Sequence, residues 1–148
     1  MAYLELLKLR IVASVVFASW VGYFLAKPEN PDWLELLILS LVSFFCSAAS
    51  CVFNHAYESD IDGCMDRTSG RPLPSGRIRH PWTVWLLCFL LFATGSALAL
   101  FFLNTGTWIH FALGFATYAI VYTVWLKPRT PWSIVWGGAA GSFAVLGG

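Results

Sequence analysis

The chain consists of about five apolar stretches separated by short polar connections. The stretches cover about residues 9–26, 34–53, 82–103 and 108–126, and a fifth begins near residue 132. A helix needs roughly 20 apolar residues to cross the hydrocarbon core of a bilayer, so each stretch is typical of a transmembrane helix. Proline, glycine and asparagine, which break helices, occupy the connections. The pattern predicts an all-α, polytopic transmembrane helix bundle that forms a single membrane domain, residues 1–148.

The composition supports lipid as the surrounding solvent. Hydrophobic residues make up 58% of the chain and charged residues only 11%, whereas a soluble domain typically carries about 25% charged residues. The formal net charge is +1, which gives no electrostatic reason to bind nucleic acid. We therefore expect the lipid bilayer, and not nucleic acid, as a partner.

The basic residues lie mostly on one side of the predicted bundle. Of the nine lysines and arginines, Lys8 and Arg10 lie at the start of the first span, and six lie in the second and fourth connections. These three regions share one face of the membrane, and Lys27 lies on the opposite face. Basic loops remain on the cytoplasmic side of a membrane. We expect a multi-pass protein of the plasma (inner) membrane with a cytoplasmic N-terminus and a cytoplasmic loop at residues 54–80.

The connection between the second and third spans contains a regular row of polar side chains. Asn54, Glu58 and Asp62 recur every four residues. If the second helix continues past Phe53, these three side chains share one face of it. Mg²⁺ prefers oxygen ligands and usually takes one or two carboxylates together with substrate phosphates. The spacing therefore predicts Asn54, Glu58 and Asp62 as the ligands of a metal ion.

Arginines follow this row directly. Arg67 and Arg71 are four residues apart, and two prolines after them stiffen the chain. Guanidinium groups match phosphate oxygens in charge and in geometry. Acidic residues beside arginines are thus typical of a metal–diphosphate site at the mouth of an apolar cavity. Spacing alone equally favours a solvated connection held together by local ion pairs.

The polar connection resembles the first aspartate-rich motif of the UbiA superfamily, and most closely that of its protoheme IX farnesyltransferase (haem O synthase) branch. Residues 7–10 and 122–141 resemble the opening of the first helix and the entry into the fifth helix of these proteins, so the resemblance covers nearly the whole chain. The most specific part is the run Met65-x-Arg67-Thr68-x₂-Arg71-Pro72.

The resemblance implies a nine-helix fold around a central cavity, of which this chain is the N-terminal part, with residues 54–80 as an active-site loop. It implies a Mg²⁺-dependent prenyltransferase that transfers the farnesyl group of farnesyl diphosphate to a vinyl group of haem b, giving haem O for haem A biosynthesis. The implied metal-binding and catalytic residues are Asn54, Glu58 and Asp62, and the implied diphosphate contacts are Arg67, Arg71 and Lys127.

Departures from the family pattern leave two alternatives. Glu58 stands where many relatives have aspartate, and residues 132–133 and 144–145 depart from the haem O synthases. One alternative is therefore an aromatic acceptor, as in quinone biosynthesis. The family's second acidic motif would lie beyond Gly148, so the chain is expected to be incomplete. The other alternative is a truncated, non-catalytic membrane fragment.

Overall fold

The computed structural model describes residues 2–27, 29–66, 68–130 and 132–148. These residues form helices and no strands, which confirms the predicted all-α class. The elements are α1 (Ala2–Leu6), α2 (Leu9–Ala26), α3 (Trp33–Tyr57), α4 (Ser59–Gly63), α5 (Pro81–Phe102), α6 (Thr105–Ala116), a π-helix (Thr117–Leu126) and α7 (Ser133–Gly147).

Four helical stretches of the described chain are long and apolar enough to cross a membrane. They are α2, α3, α5, and α6 together with the π-helix, and α7 is a shorter apolar helix of 15 residues. Helix α3 extends to Tyr57, four residues beyond the predicted end of the second span at Phe53. The polar row therefore begins inside a helix. The predicted multi-pass membrane bundle is confirmed.

Helix α3 lies at the centre of the bundle. More than half of its apolar length is buried, compared with about a fifth of α2 and α5. Small groups allow its neighbours to approach: Ser43 donates to Ser19 of α2 at 2.8 Å, and Gly95 of α5 lies directly against Cys46. Small residues and interhelical hydrogen bonds are the usual means of packing helices in lipid. These contacts hold α3 in place against its neighbours.

Large apolar side chains cover the outside of the bundle. Phe17, Leu25, Phe101 and Ile134 are each at least 64% exposed. Water would make such a surface a liability, whereas lipid solvates it at no cost. The exposed apolar surface agrees with a membrane location.

The fourth span changes from α-helix to π-helix at Thr117. Thr123 Oγ1 donates to the carbonyl of Tyr118, and the amide of Lys127 donates to the carbonyl of Tyr122, five residues earlier in each case. π-Helical turns are rare and occur frequently at functional sites. Here the wider turn brings Thr123 and Lys127 to the end of α3.

Candidate active site

Three oxygen-bearing side chains lie on one side of the end of α3. The backbone amides of Glu58 and Asp62 donate to the carbonyls of Asn54 and Glu58, at 3.1 and 2.8 Å, so the four-residue repeat continues from α3 into α4. Asn54, Glu58 and Asp62 are 1%, 6% and 4% exposed, while the neighbouring Asp60 is exposed. The structure thus brings the three predicted metal ligands together in a buried position.

Each of these three side chains has a basic partner from a different part of the chain. Lys8 Nζ donates to Asn54 Oδ1 at 2.8 Å, and Lys127 Nζ lies 2.6 Å from the Glu58 carboxylate. Arg71 Nη1 lies 2.5 Å from Asp62 Oδ2 and 3.9 Å from Glu58. Three formal positive charges therefore face two negative charges. This excess favours a further anion at the site.

Lys8 reaches the site from the start of the first span. It lies between α1 and α2 in the left-handed backbone region, with φ 48° and ψ 56°. Burial is the main cause that lowers the pKa of its amino group. Its partner Asn54 also donates through Nδ2 to Thr123 Oγ1 at 3.4 Å. Asn54 is thus fixed from both sides.

A charged cavity adjoins this cluster, and an apolar cavity lies further along α3. The first, of about 230 Å³, is lined by the charged and polar residues Glu58, Asp62, Thr68, Arg71 and Lys127 and by Tyr57, Ile61, Met65, Thr123 and Pro128. The second, of about 220 Å³, is apolar and lies among α2, α3, α6, the π-helix and α7. Its walls include Cys46 and Cys51 of α3, so it begins about one turn below Asn54 and extends at least about 8 Å further along the helix. A charged cavity at the membrane surface is therefore followed by an apolar one within the membrane.

The oxygen donors fit a magnesium ion that also binds phosphate. Within the described ranges, no three His, Cys, Asp or Glu side chains come together as a complete metal site. Two carboxylates and one amide oxygen do come together, in Glu58, Asp62 and Asn54. Mg²⁺ usually takes one or two carboxylates and completes its shell with water and substrate phosphates. The donor set fits that mode of binding.

The remaining predicted site residues divide into two groups. Arg71 and Lys127 lie in the site, whereas Arg67 falls outside the described residues. The hydrogen bond between Lys8 and Asn54 and the ion pair between Glu58 and Lys127 connect residues 46 and 69 positions apart. The alternative of a connection held only by local ion pairs therefore does not describe this segment.

The sequence interpretation assigned no role in the site to Lys8 or Thr123. A signal for Lys8 was present, because it lies in the stretch that resembles the opening of the family's first helix. Thr123 carried none, because a threonine within an apolar span is ordinary. Its contribution depends on the π-helix.

The comparisons with known proteins agree with this geometry. The model of the UbiA prenyltransferase family matches residues 15–148. The chain is 44% identical to protoheme IX farnesyltransferase 1 of Paramagnetospirillum magneticum and 39% identical to a protoheme IX farnesyltransferase of Pyrobaculum islandicum, in each case over 99% of the chain. It spans about half of the length of these relatives, 51% and 52%.

A solved structure shows the same fold. It is a UbiA homologue from Archaeoglobus fulgidus bound to DMAPP and Mg²⁺, with a TM-score of 0.75 and 23% identity. The likeness covers 99% of this chain and 54% of the homologue. The match of the family model, over far more than half of the residues, decides the family. The chain belongs to the UbiA prenyltransferase family.

Proposed function

We propose that the chain supplies the first acidic motif of a prenyltransferase that transfers a farnesyl group from farnesyl diphosphate to the vinyl group of haem b. The observation that carries the proposal is the meeting of three cations and three oxygen ligands, from three separate segments, beside an apolar cavity. The relatives named protoheme IX farnesyltransferases, 39–44% identical along the chain, support haem b as the acceptor.

Asn54, Glu58 and Asp62 would hold Mg²⁺ in this reaction. When bound, the ion supplies Lewis-acid stabilisation of the negative charge that develops on the pyrophosphate leaving group. The three side chains contribute the fixed part of the coordination shell, because they are buried and each is held by a hydrogen bond or ion pair. The homologue that binds DMAPP and Mg²⁺ supports this metal.

Lys8, Arg71 and Lys127 would bind the diphosphate oxygens, together with Arg67. In the structure the cationic groups of Lys8, Arg71 and Lys127 lie at hydrogen-bond distance from the predicted metal ligands. When the two carboxylates and the Asn54 amide oxygen turn to a metal ion, these cations become available for phosphate. Charge-assisted hydrogen bonds aimed at the leaving group favour its departure, because they strengthen as its charge grows.

The apolar cavity would hold the isoprenyl chain. It lies on the membrane side of the charged cluster and is lined by side chains such as Phe111, Phe115 and Tyr118. Exclusion of water from this region protects the allylic cation until the acceptor attacks. The positions of Lys8, Arg71 and Lys127 at one end of the bundle, together with the rule that basic segments remain inside, support a cytoplasmic location of the N-terminus and of residues 54–80.

The decisive experiment measures both binding and product. For binding, the chain is reconstituted in lipid nanodiscs and titrated with farnesyl diphosphate and Mg²⁺. For product formation, membranes that contain the chain are assayed with haem b and with 4-hydroxybenzoate as acceptors. We expect metal-dependent binding and haem O detected by mass spectrometry. A prenylated hydroxybenzoate would instead favour the aromatic acceptor, and binding without either product a non-catalytic role.

Asp62→Asn and Asp60→Asn form a matched pair of variants for this assay. Both remove one carboxylate from α4, but Asp62 is buried in the cluster and Asp60 is exposed. We expect Asp62→Asn to lose metal-dependent binding while remaining in the membrane, and Asp60→Asn to bind normally. Equal behaviour of the two variants would remove Asp62 from the site.

A further inference from the structure

The short helix α1 is joined by an ion pair to the loop that follows the site. Arg77 donates from Nη1 and Nη2 to the two carboxylate oxygens of Glu5, at 2.7 and 2.8 Å. Its Nη2 also donates to the carbonyl of Gly70 at 2.7 Å. One guanidinium therefore connects α1 with the residue directly before Arg71.

Apolar and polar contacts fix the orientation of α1 on either side of this pair. Leu6 is fully buried in a cluster that contains Ile78 and Val84, the first of which directly follows Arg77. Tyr3 Oη lies 3.0 Å from Thr83 Oγ1 at the start of α5. The helix is thereby held at three of its five residues.

The turn after α1 places Lys8 in the site. Lys8 has positive φ, a region that residues with a side chain rarely adopt, and such a conformation persists only where the surrounding structure holds it. Leu6 is anchored two residues earlier, and Lys8 Nζ reaches Asn54 Oδ1 directly from this turn. Lys8 is held from its other side by α2, because its carbonyl accepts from the amide of Ile11 at 2.8 Å. The docking of α1 on one side and of α2 on the other therefore sets the turn from which the amino group of Lys8 reaches the site.

We propose that Glu5 and Arg77 are positioning residues that hold Lys8 and the Arg71 loop in place at the same time for diphosphate binding. The proposal rests on the proposed function, because it assigns these residues to the same site. Among the described residues, neither Glu5 nor Arg77 forms a hydrogen bond or ion pair with the predicted metal ligands or with their cationic partners. Their side chains are nearly half exposed, and exposed ion pairs contribute little to stability. The effect of the pair should consequently appear in affinity for the anion and not in unfolding.

The test compares the affinity of variants for pyrophosphate with Mg²⁺, measured by calorimetry on the chain in nanodiscs. We expect Glu5→Gln and Arg77→Gln each to bind roughly fivefold more weakly, with the midpoint of thermal unfolding unchanged. The charge exchange Glu5→Arg with Arg77→Glu should restore only the part of the affinity that depends on the ion pair, because a glutamate at position 77 cannot donate to the Gly70 carbonyl. Arg79→Gln is the matched control, because it removes a positive charge two residues away from an exposed position.

A double-mutant cycle separates positioning from general damage to the fold. In a Lys8→Gln background, Glu5→Gln should cause a smaller loss than in the unaltered chain, because the amino group of Lys8 is already absent and only the effect on the Arg71 loop remains. An undiminished fivefold loss in that background would overturn the inference, as would equal losses in Arg77→Gln and Arg79→Gln. Failure of the unaltered chain to bind pyrophosphate with Mg²⁺ would overturn the proposed function together with this inference. Normal binding by the unaltered chain, with either of the two outcomes above, would overturn this inference alone.

Discussion

Lys127 lies 69 residues after Glu58 in the chain, yet its Nζ atom is 2.6 Å from the Glu58 carboxylate. The pair joins the end of the π-helix to the end of α3. Glu58 is almost fully buried, whereas the Lys127 side chain is 39% exposed and faces the charged cavity. A buried carboxylate with an exposed cationic partner is well suited to exchange that partner for a metal ion, while the cation turns to an incoming anion.

Replacement of Lys127 by methionine should weaken binding of pyrophosphate with Mg²⁺ about tenfold or more, because one charge-assisted hydrogen bond to the anion is lost. The cost to folding should be about 1 to 3 kcal/mol, because Lys127 is partly exposed but leaves the buried Glu58 carboxylate with Arg71, 3.9 Å away, as its cationic partner. Calorimetry gives the affinity and thermal unfolding gives the stability.

Two further variants show whether this effect belongs to the ammonium group at this position. Lys127→Arg keeps the charge and should retain most of the affinity. Arg129→Gln removes an exposed charge two residues later and should have little effect. A loss in Arg129→Gln as large as that in Lys127→Met would contradict a direct contact between Lys127 and the anion.

Magnesium and pyrophosphate should each strengthen binding of the other. Metal alone would separate Glu58 and Asp62 from Lys127 and Arg71 and leave those cations unpaired, and pyrophosphate alone would leave the carboxylates unpaired. Bound together, they give every charge a partner. We expect a coupling of about five- to 150-fold, measured by calorimetry with correction for the complex that the two ions form in solution. Chelation of the metal should release most of the pyrophosphate, and equal affinities with and without metal would contradict the exchange of partners.

The spans and the row of metal ligands were predictable because each depends on local periodicity. An apolar stretch of sufficient length becomes a membrane helix almost regardless of its neighbours. A continuous helix likewise places Asn54, Glu58 and Asp62 on one face at their spacing of four residues, and α3 does continue past Phe53.

The local pattern predicted Arg71 beside the acidic row, but it did not predict the distant partners of these ligands. The role of Lys8 depends on a left-handed turn and on how α1 docks, and neither leaves a periodic signal. Thr123 reaches Asn54 because the fourth span becomes π-helical, whereas an apolar span looks the same in sequence whichever helix it forms. The long-range ion pair of Glu58 is a property of the tertiary structure. Its partner Lys127 was suggested by the family resemblance and not by the spacing of residues.

Substitution of Thr123 tests the contact between the π-helix and α3. Thr123→Val keeps the shape of the side chain but removes the hydroxyl that donates to the Tyr118 carbonyl and accepts from Asn54. We expect a loss of about 1 kcal/mol in stability and weaker metal-dependent binding, because Asn54 is then held only by Lys8. Thr123→Ser restores the hydroxyl and should recover the binding. Binding by the valine variant equal to that of the unaltered chain would show that Asn54 does not depend on this contact.

The ion pair between Glu5 and Arg77 should respond to acid in a defined direction. The hydrogen bond from Arg77 is the main cause that lowers the pKa of the Glu5 carboxyl. Any contribution of the pair to the docking of α1 is therefore complete above the ordinary pKa of a glutamate, about 4.3, and disappears as the pH falls through the lower value in the folded chain. NMR of the labelled Glu5 carboxyl carbon should show a midpoint below the ordinary value that moves upward in Arg77→Gln and stays in place in Arg79→Gln. An unchanged midpoint in Arg77→Gln would mean that the pair does not persist in the membrane-embedded protein.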